Sequence, residues 1–315
     1  MDRPQLPRTI VGYVIRKSGI HQLGLAALSA AVFGLSAVPL ELQRRIVNDA
    51  IKSGAIRTIF WLAVAYAGVA LLEQSLKVAL NVYRSWVSED AVRTLRQTIH
   101  AGGSRPDSGP ATGPDAGQAK EVGTHTAMVV AEAEPIGGFV GMAISEPLLQ
   151  SGILVSVIGY MAYLEPWTLP LCAALLLPQM LFVPPMQGAI NRRASERIKV
   201  LRQVSGGIVE SGEPAEQGIQ KVFSLNMGIY KIKYSMNLAM NLMHYLAVAA
   251  ALGVGGWFTV QGRIDVGTVV AVVSGLGKLN DPWGDLVSWG RELSVDSVKY
   301  RLFADAVGKQ GLATA

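Results

Sequence analysis

Residues Pro166–Ala189 read PWTLPLCAALLLPQMLFVPPMQGA and contain no formal charge. A helix crosses the hydrocarbon core of a bilayer with about 20 mostly apolar residues. This stretch is long enough, and the four prolines that follow its opening Pro166, namely Pro170, Pro178, Pro184 and Pro185, are of a kind that membrane helices tolerate. They predict kinks. Just before it, Ile136–Leu164 carries one charge, Glu146, and only the Glu165-Pro166 turn separates the two. Outward from this pair, similar runs recur at Ile20–Leu40, at Ile59–Leu72 (extending through Glu73 and Lys77 to Val82), and at Leu238–Val260. Val266–Trp289 is apolar at both ends and holds Lys278, Asp281 and Asp285 between them. The pattern predicts an all-α, polytopic membrane protein with six transmembrane helices and long cytoplasmic extensions.

The composition agrees. The 315 residues are 50% hydrophobic and only 16% charged, against roughly 25% charged in ordinary soluble domains. The mean hydropathy is +0.33. Such a balance excludes intrinsic disorder. A single cysteine, Cys172, excludes a disulfide scaffold and a cysteine metal cluster. The net charge of +5 is an orientation signal. Basic residues concentrate before the first span, between the second and third, between the fourth and fifth, and after the sixth. The opposite side has Arg44, Arg45, Lys52, Arg57 and Arg263. The positive-inside rule then predicts cytoplasmic termini, with a cell membrane, bacterial inner membrane, as the location. No basic face with interleaved aromatics argues for nucleic acid. Before the first span, Ile10, Val11, Val14 and Ile15 alternate with Arg8, Arg16 and Lys17. That spacing predicts a short amphipathic helix lying on the membrane surface. The expected organisation is a cytoplasmic N-terminus over residues 1–19, a six-helix domain over 20–290, and a cytoplasmic C-terminal helix and tail over 291–315.

Between the spans, helical patterns outrun the bilayer. From Ile56 to His100 no Gly–Pro cluster interrupts the pattern. About 45 residues make a rod of about 65 Å, twice the core thickness of about 30 Å. Gln187–Ser211 and Ala215–Val260 predict two antiparallel projecting helices, with a weak point at Gly206-Gly207 and a turn at Ser211-Gly212-Glu213-Pro214. In Gly102–Gly117, half of the residues are Gly or Pro, which predicts a flexible loop.

This layout resembles the transmembrane domain of ABC transporters of the exporter type, over about Ile10 to Val307. The similar stretches, in order, are Pro39–Ala50, Glu89–Arg96, Gly117–Gly138, Glu216–Ser224, Ile264–Ala271 with Pro282, and Val298–Phe303. Pro39–Ala50 resembles the end of the first span and its following loop. The resemblance implies a permease subunit working by alternating access, with a second transmembrane domain as homodimer or heterodimer partner. It also implies two cytoplasmic tips that touch an ATPase. Those tips would fall at Thr124, Met128 and Glu132, and at Ser211, Glu213 and Gln217. The nearest approach to a phosphate-binding loop, Gly275-Leu276-Gly277-Lys278-Leu279, has Leu where Ser or Thr is needed. ATP and Mg are therefore expected on a separate ABC ATPase subunit, with no cofactor and no enzyme activity on this chain. No metal-ligand spacing or nucleophile elbow is present either.

Charges inside spans raise a functional question by default. Glu73 and Lys77, spaced i, i+4, form either an ion pair or part of a substrate cavity. Glu146 and Gln150 share a face, for a cavity or for an interhelical hydrogen bond. Lys278, Asn280 and Asp281 precede Pro282, where a kink would open them to a cavity or leave them locally paired. His244 reads as a packed or interfacial histidine. The alternative functions are a degenerate or regulatory membrane scaffold, and an ion-coupled secondary transporter using Glu73, Glu146 and Asp281.

Overall fold

The computed structural model describes residue 7 and residues 9–51, 54–103, 133–211 and 216–312. Every element among them is helical: α1 (Ile10–Leu35), α2 (Val38–Arg45), a π-helical turn (Ile46–Ile51), α3 (Ile56–Gly103), α4 (133–142), α5 (Ser145–Leu164), α6 (Thr168–Ser211), α7 (Glu216–Val260) and α8 (Val266–Leu312). Five segments are long and apolar enough to cross a membrane: Ile10–Asp49, Ile56–Thr98, Ala133–Leu164, Thr168–Leu201 and Glu216–Val260. The chain thus has the make-up of a multi-pass membrane protein. Large apolar side chains such as Leu71, Leu181, Tyr245 and Val260 stand exposed on these helices, as lipid-facing residues do. The expected sixth span is the first half of α8. It is helical, but Lys278, Asp281 and Asp285 keep it outside that set.

By packing, the chain divides into two compact units. The first comprises Met1–Leu42, Arg57–Val157 and Asp281–Ala315. Here Thr9 caps α1 by accepting from Gly12 N–H at 3.2 Å. The helix then breaks at Ser18 (φ −132°, ψ 21°), whose hydroxyl bonds back to the Val14 carbonyl. Such back-bonding bends helices, and it sets Ile10–Lys17 off from the rest of α1. That segment packs on the C-terminal part of α8. Tyr13 and Tyr300 rings lie 5.5 Å apart, and Tyr300 Oη donates to the Pro7 carbonyl at 2.8 Å. Burial pushes the Tyr300 phenol up to about 12. A free phenol ionises near about 10. Stability from this contact is therefore complete below about pH 10 and falls as pH rises through the folded value. Alkaline titration followed by tyrosinate absorbance should show a late-ionising class, and Tyr300→Phe should reduce it.

Two helix contacts in this unit exist because glycine is there. A Cβ at Gly141 would overlap the Arg84 carbonyl and Ser88 Oγ, and one at Gly137 would overlap Val92. Gly137 and Gly141 are one turn apart, so α4 presents a small-residue stripe that lets it lie on the backbone of α3. Ser88 Oγ donates to the Gly138 carbonyl across the same seam. Likewise, α5 meets α1 where Gly152 faces the Phe33 ring.

The second unit comprises Gln43–Ile56 and Ile158–Asn280. Thr168 Oγ1 donates to the Glu165 carbonyl at 2.8 Å and closes the turn before α6. From there α6 runs 44 residues through Pro178, Pro184, Pro185 and Gly206-Gly207 without interruption. Neither a proline break nor the expected weak point divides it. The 45-residue α7 returns antiparallel to it. Trp167 packs on Phe258 at one end, while Glu196–Lys221 (3.1 Å) and Arg197–Asn226 (3.2 Å) join the pair at the other. At 1.5 Å per residue each helix is about 65 Å long. Gly262, at φ +70°, ends α7 with Arg263 N–H reaching the Phe258 carbonyl and Gly262 N–H the Thr259 carbonyl. This is the paired closure that a left-handed residue permits. Asn48, on the π-helical turn, accepts from Gly267 N–H at 2.7 Å and so satisfies a donor in the first turn of α8.

Three expectations are corrected here. The loop foreseen after the first span is instead helical, through α2 and the π-helical turn to Ile51. The Gly/Pro stretch from Gly102 begins inside α3, which continues through Gly103; residues 104–117 lie outside the described residues. The third span is not one helix, because the chain turns at Ala143-Ile144 between α4 and α5.

Candidate functional site

Pro147 accounts for that turn. It has no N–H to give the Ala143 carbonyl, and its ring occupies the space that the carbonyl would need. The freed Ala143 carbonyl accepts from Trp289 Nε1 of α8 at 3.2 Å. The restart of the helix then fixes Ser145 and Glu146. Ser145 Oγ donates to the Gly141 carbonyl at 3.0 Å, and the Ser145 carbonyl accepts from Ser29 Oγ of α1.

Around this turn three helices share one polar cluster. Arg84 of α3 donates through Nε to Ser145 Oγ at 2.8 Å and through Nη1 to Glu146 Oε2. Gln150, one turn on, donates to Glu146 Oε1 at 2.7 Å and to Asp285 Oδ2 of α8 at 2.9 Å. The Arg84 and Glu146 side chains are 13% and 17% exposed, so water screens their attraction little. Gln150 is buried, and Asp285 lies at the exposed edge. One guanidinium therefore serves two carboxylates, and Arg84 Nη2 is buried without a partner. Chemically the cluster is a joint. Sliding α5 against α3 breaks the Arg84 bonds, and sliding it against α8 breaks the Gln150–Asp285 bond. Among the described residues no group of three or more His, Cys, Asp or Glu side chains could hold a metal ion. Trp289→Phe, which keeps the ring and removes the donor, should cost about 1 kcal/mol, read as a lower unfolding temperature in detergent.

The expected site residues fall into three groups. Glu146 and Gln150 meet in the cluster, and Gln150 makes the interhelical hydrogen bond that was one of its two readings. Glu73 and Lys77 pair with each other at 2.7 Å on α3, with Glu73 8% and Lys77 34% exposed. Lys278 is half-buried and engaged in an interaction of its own, and Asp281 is exposed. Of the coupling positions, Thr124, Met128, Glu132 and Glu213 lie outside the described residues. Ser211 is the last residue of α6, and Gln217 is exposed in the first turn of α7. Arg84, Ser145, Asp285 and Trp289 complete the cluster and were not foreseen as site residues. The available signal was Arg84 itself, a guanidinium just past the apolar run that ends at Val82. Proline two residues after Ser145 was a second clue.

No protein-family model matches the chain, and no curated protein sequence matches it.

Proposed function

We propose that the chain is the permease subunit of an ATP-driven transporter of the ABC exporter type. It would sit in a bacterial inner membrane with both termini cytoplasmic. The observation that carries this reading is the α6–α7 pair. Two antiparallel helices of 44 and 45 residues are about twice as long as the hydrocarbon core needs. Ion pairing of Glu196 with Lys221 holds their far parts together beyond the apolar stretches. A 48-residue α3 of similar excess and an N-terminal helical segment set off from the rest of α1 support the same reading. The projecting ends offer lever arms to a partner, and the residues near Ser211 and Gln217 would be the contact.

In this reading ATP and Mg bind a separate ATPase subunit, whose closure pushes the projecting ends. A second transmembrane domain, from another copy or a similar chain, completes the pathway. The chain's own task is to convert that push into a change of access. The Arg84–Glu146–Gln150–Asp285 joint holds one arrangement of α3, α5 and α8 until it is broken. Glu73, Lys77, Glu146, Gln150, Lys278 and Asp281 are the polar groups available to a solute along the spans.

The test is co-purification from the native membrane followed by reconstitution. An ATPase subunit should come down with the chain, and vesicles should move solute only with ATP on the ATPase side. Absence of any ATPase, with uptake that collapses under a proton uncoupler, would replace this reading by ion-coupled transport. Absence of both would leave a membrane scaffold.

A further inference from the structure

Several polar side chains of the second unit have buried atoms without hydrogen-bond partners, among them Gln179, His244 and Asn280. Gln179 of α6 is fully buried, and neither its Oε1 nor its Nε2 has a partner. His244 of α7 and Asn280 of α8 are half-buried, with Nδ1 and Oδ1 respectively buried and unpartnered. Such atoms are costly, because burial strips water and nothing replaces it.

The helix registers bring the three to one level. Between Trp167 against Phe258 and Arg193 and Arg197 against Gly228 and Asn226, the antiparallel register sets Gln179 opposite His244 to within a turn. At the far end, Gly255 faces Val269 closely. The same number of residues along each helix from that contact leads to His244 on α7 and to Asn280 on α8.

Each also continues the buried face of its own helix. Gln179 follows Cys172 and Leu175 and precedes Val183. His244 leads into Ala247, Ala251 and Gly255. Asn280 follows Val269, Val272 and Leu276. The spacing is three, then four, then four residues on all three helices, as one helical face requires. The three thus lie at one level, each on the buried face of its own helix, and they are two carboxamides and an imidazole. None is a carboxylate, an ammonium or a guanidinium.

We propose that these three side chains form a binding site for a neutral amphiphile whose polar group is an amide. A carboxamide offers a donor and an acceptor side by side, and so does the amide of such a ligand. A site without charge discriminates against an ion, which would be desolvated with no counter-charge. The proposal rests on the transporter reading above and assigns its substrate class.

The test uses the full chain in phosphatidylcholine nanodiscs. The probes are N-acetyl-leucyl-leucine amide and its cationic counterpart, leucyl-leucine amide. The neutral probe should bind at least tenfold more tightly. Gln179→Met, nearly isosteric, should weaken that binding about tenfold while leaving the unfolding temperature unchanged or higher, since it removes two unpaired buried atoms. His244→Leu should weaken it similarly, which keeps the test informative if the first variant does not fold. Equal or tighter binding of the cation, no binding of the neutral probe, normal binding by the variants, or a lower melting temperature for a folded Gln179→Met would each overturn the assignment. No ATP and no ATPase enter this measurement, so loss of the binding site and loss of ATP-driven transport are separately visible.

Discussion

Arg84→Met is expected to destabilise the protein by about 3–5 kcal/mol, the usual result of leaving one member of a buried ion pair alone. Among the described residues the guanidinium is the only cation bonded within the cluster of Glu146, Gln150 and Asp285. Without it, Glu146 keeps a single Gln150 amide and faces a second carboxylate bonded to that same amide. Ser145 Oγ also loses a donor. The double variant Arg84→Met/Glu146→Leu should recover most of the loss, because a well-packed apolar pair replaces a buried ionic one at little cost. Thermal unfolding of the two single variants and the double, taken as a cycle, gives the coupling between the side chains. A single variant as stable as the wild type would mean that water reaches the pair and screens it. The joint reading adds a functional expectation. If the chain is the proposed transporter subunit, the double variant, stable but unlatched, should lose the dependence of transport on ATP before it loses its fold.

Gly141→Ala adds one methyl group and is expected to cost about 1–3 kcal/mol. The methyl would overlap the Arg84 carbonyl and Ser88 Oγ. A side chain can turn away, but a carbonyl inside α3 cannot move without the helix. Gly141→Leu should therefore prevent α4 from seating at all and abolish the folded yield. Gly138 accepts from Ser88 Oγ through its backbone carbonyl, and its Cβ position has open space around it. Gly138→Ala should be neutral or stabilising by roughly 0.5–1 kcal/mol, since alanine holds a helix better than glycine. The two variants differ by three positions and have opposite signs, so a general intolerance of alanine in α4 cannot mimic the result. Size-exclusion profiles and unfolding temperatures in detergent are the readouts.

Much of the helical framework is legible in the sequence, because hydrophobic run length and helix length are local properties. Pro166–Ala189 needs no neighbour to declare itself, and the long patterns continue as single helices from Ile56 and from Glu216. The turn at Ala143-Ile144 was hidden for a different reason. Ile136–Leu164 is apolar enough to read as one span, and Pro147 acts one turn upstream of itself, through a carbonyl it cannot serve. The cluster was half visible. Glu146 and Gln150 stand out as polar residues in an apolar run. Arg84 and Asp285 look like ordinary charges near span ends until α3, α5 and α8 are placed side by side. Gln179 illustrates the limit. Nothing in its sequence neighbourhood separates it from a cavity-facing or lipid-facing glutamine. Its meaning comes from full burial without a partner, which only packing reveals.

Cys172 is the single thiol of the protein and is buried on the inner face of α6. For spectroscopy this makes the natural chain nearly a cysteine-free background. A cysteine introduced at an exposed position such as Gln217 or Tyr234 on α7 would take up a maleimide spin label while Cys172 stayed silent. Pairs of such labels would turn the projecting helices into a ruler, and distances between them with and without nucleotide would report whether the arms move.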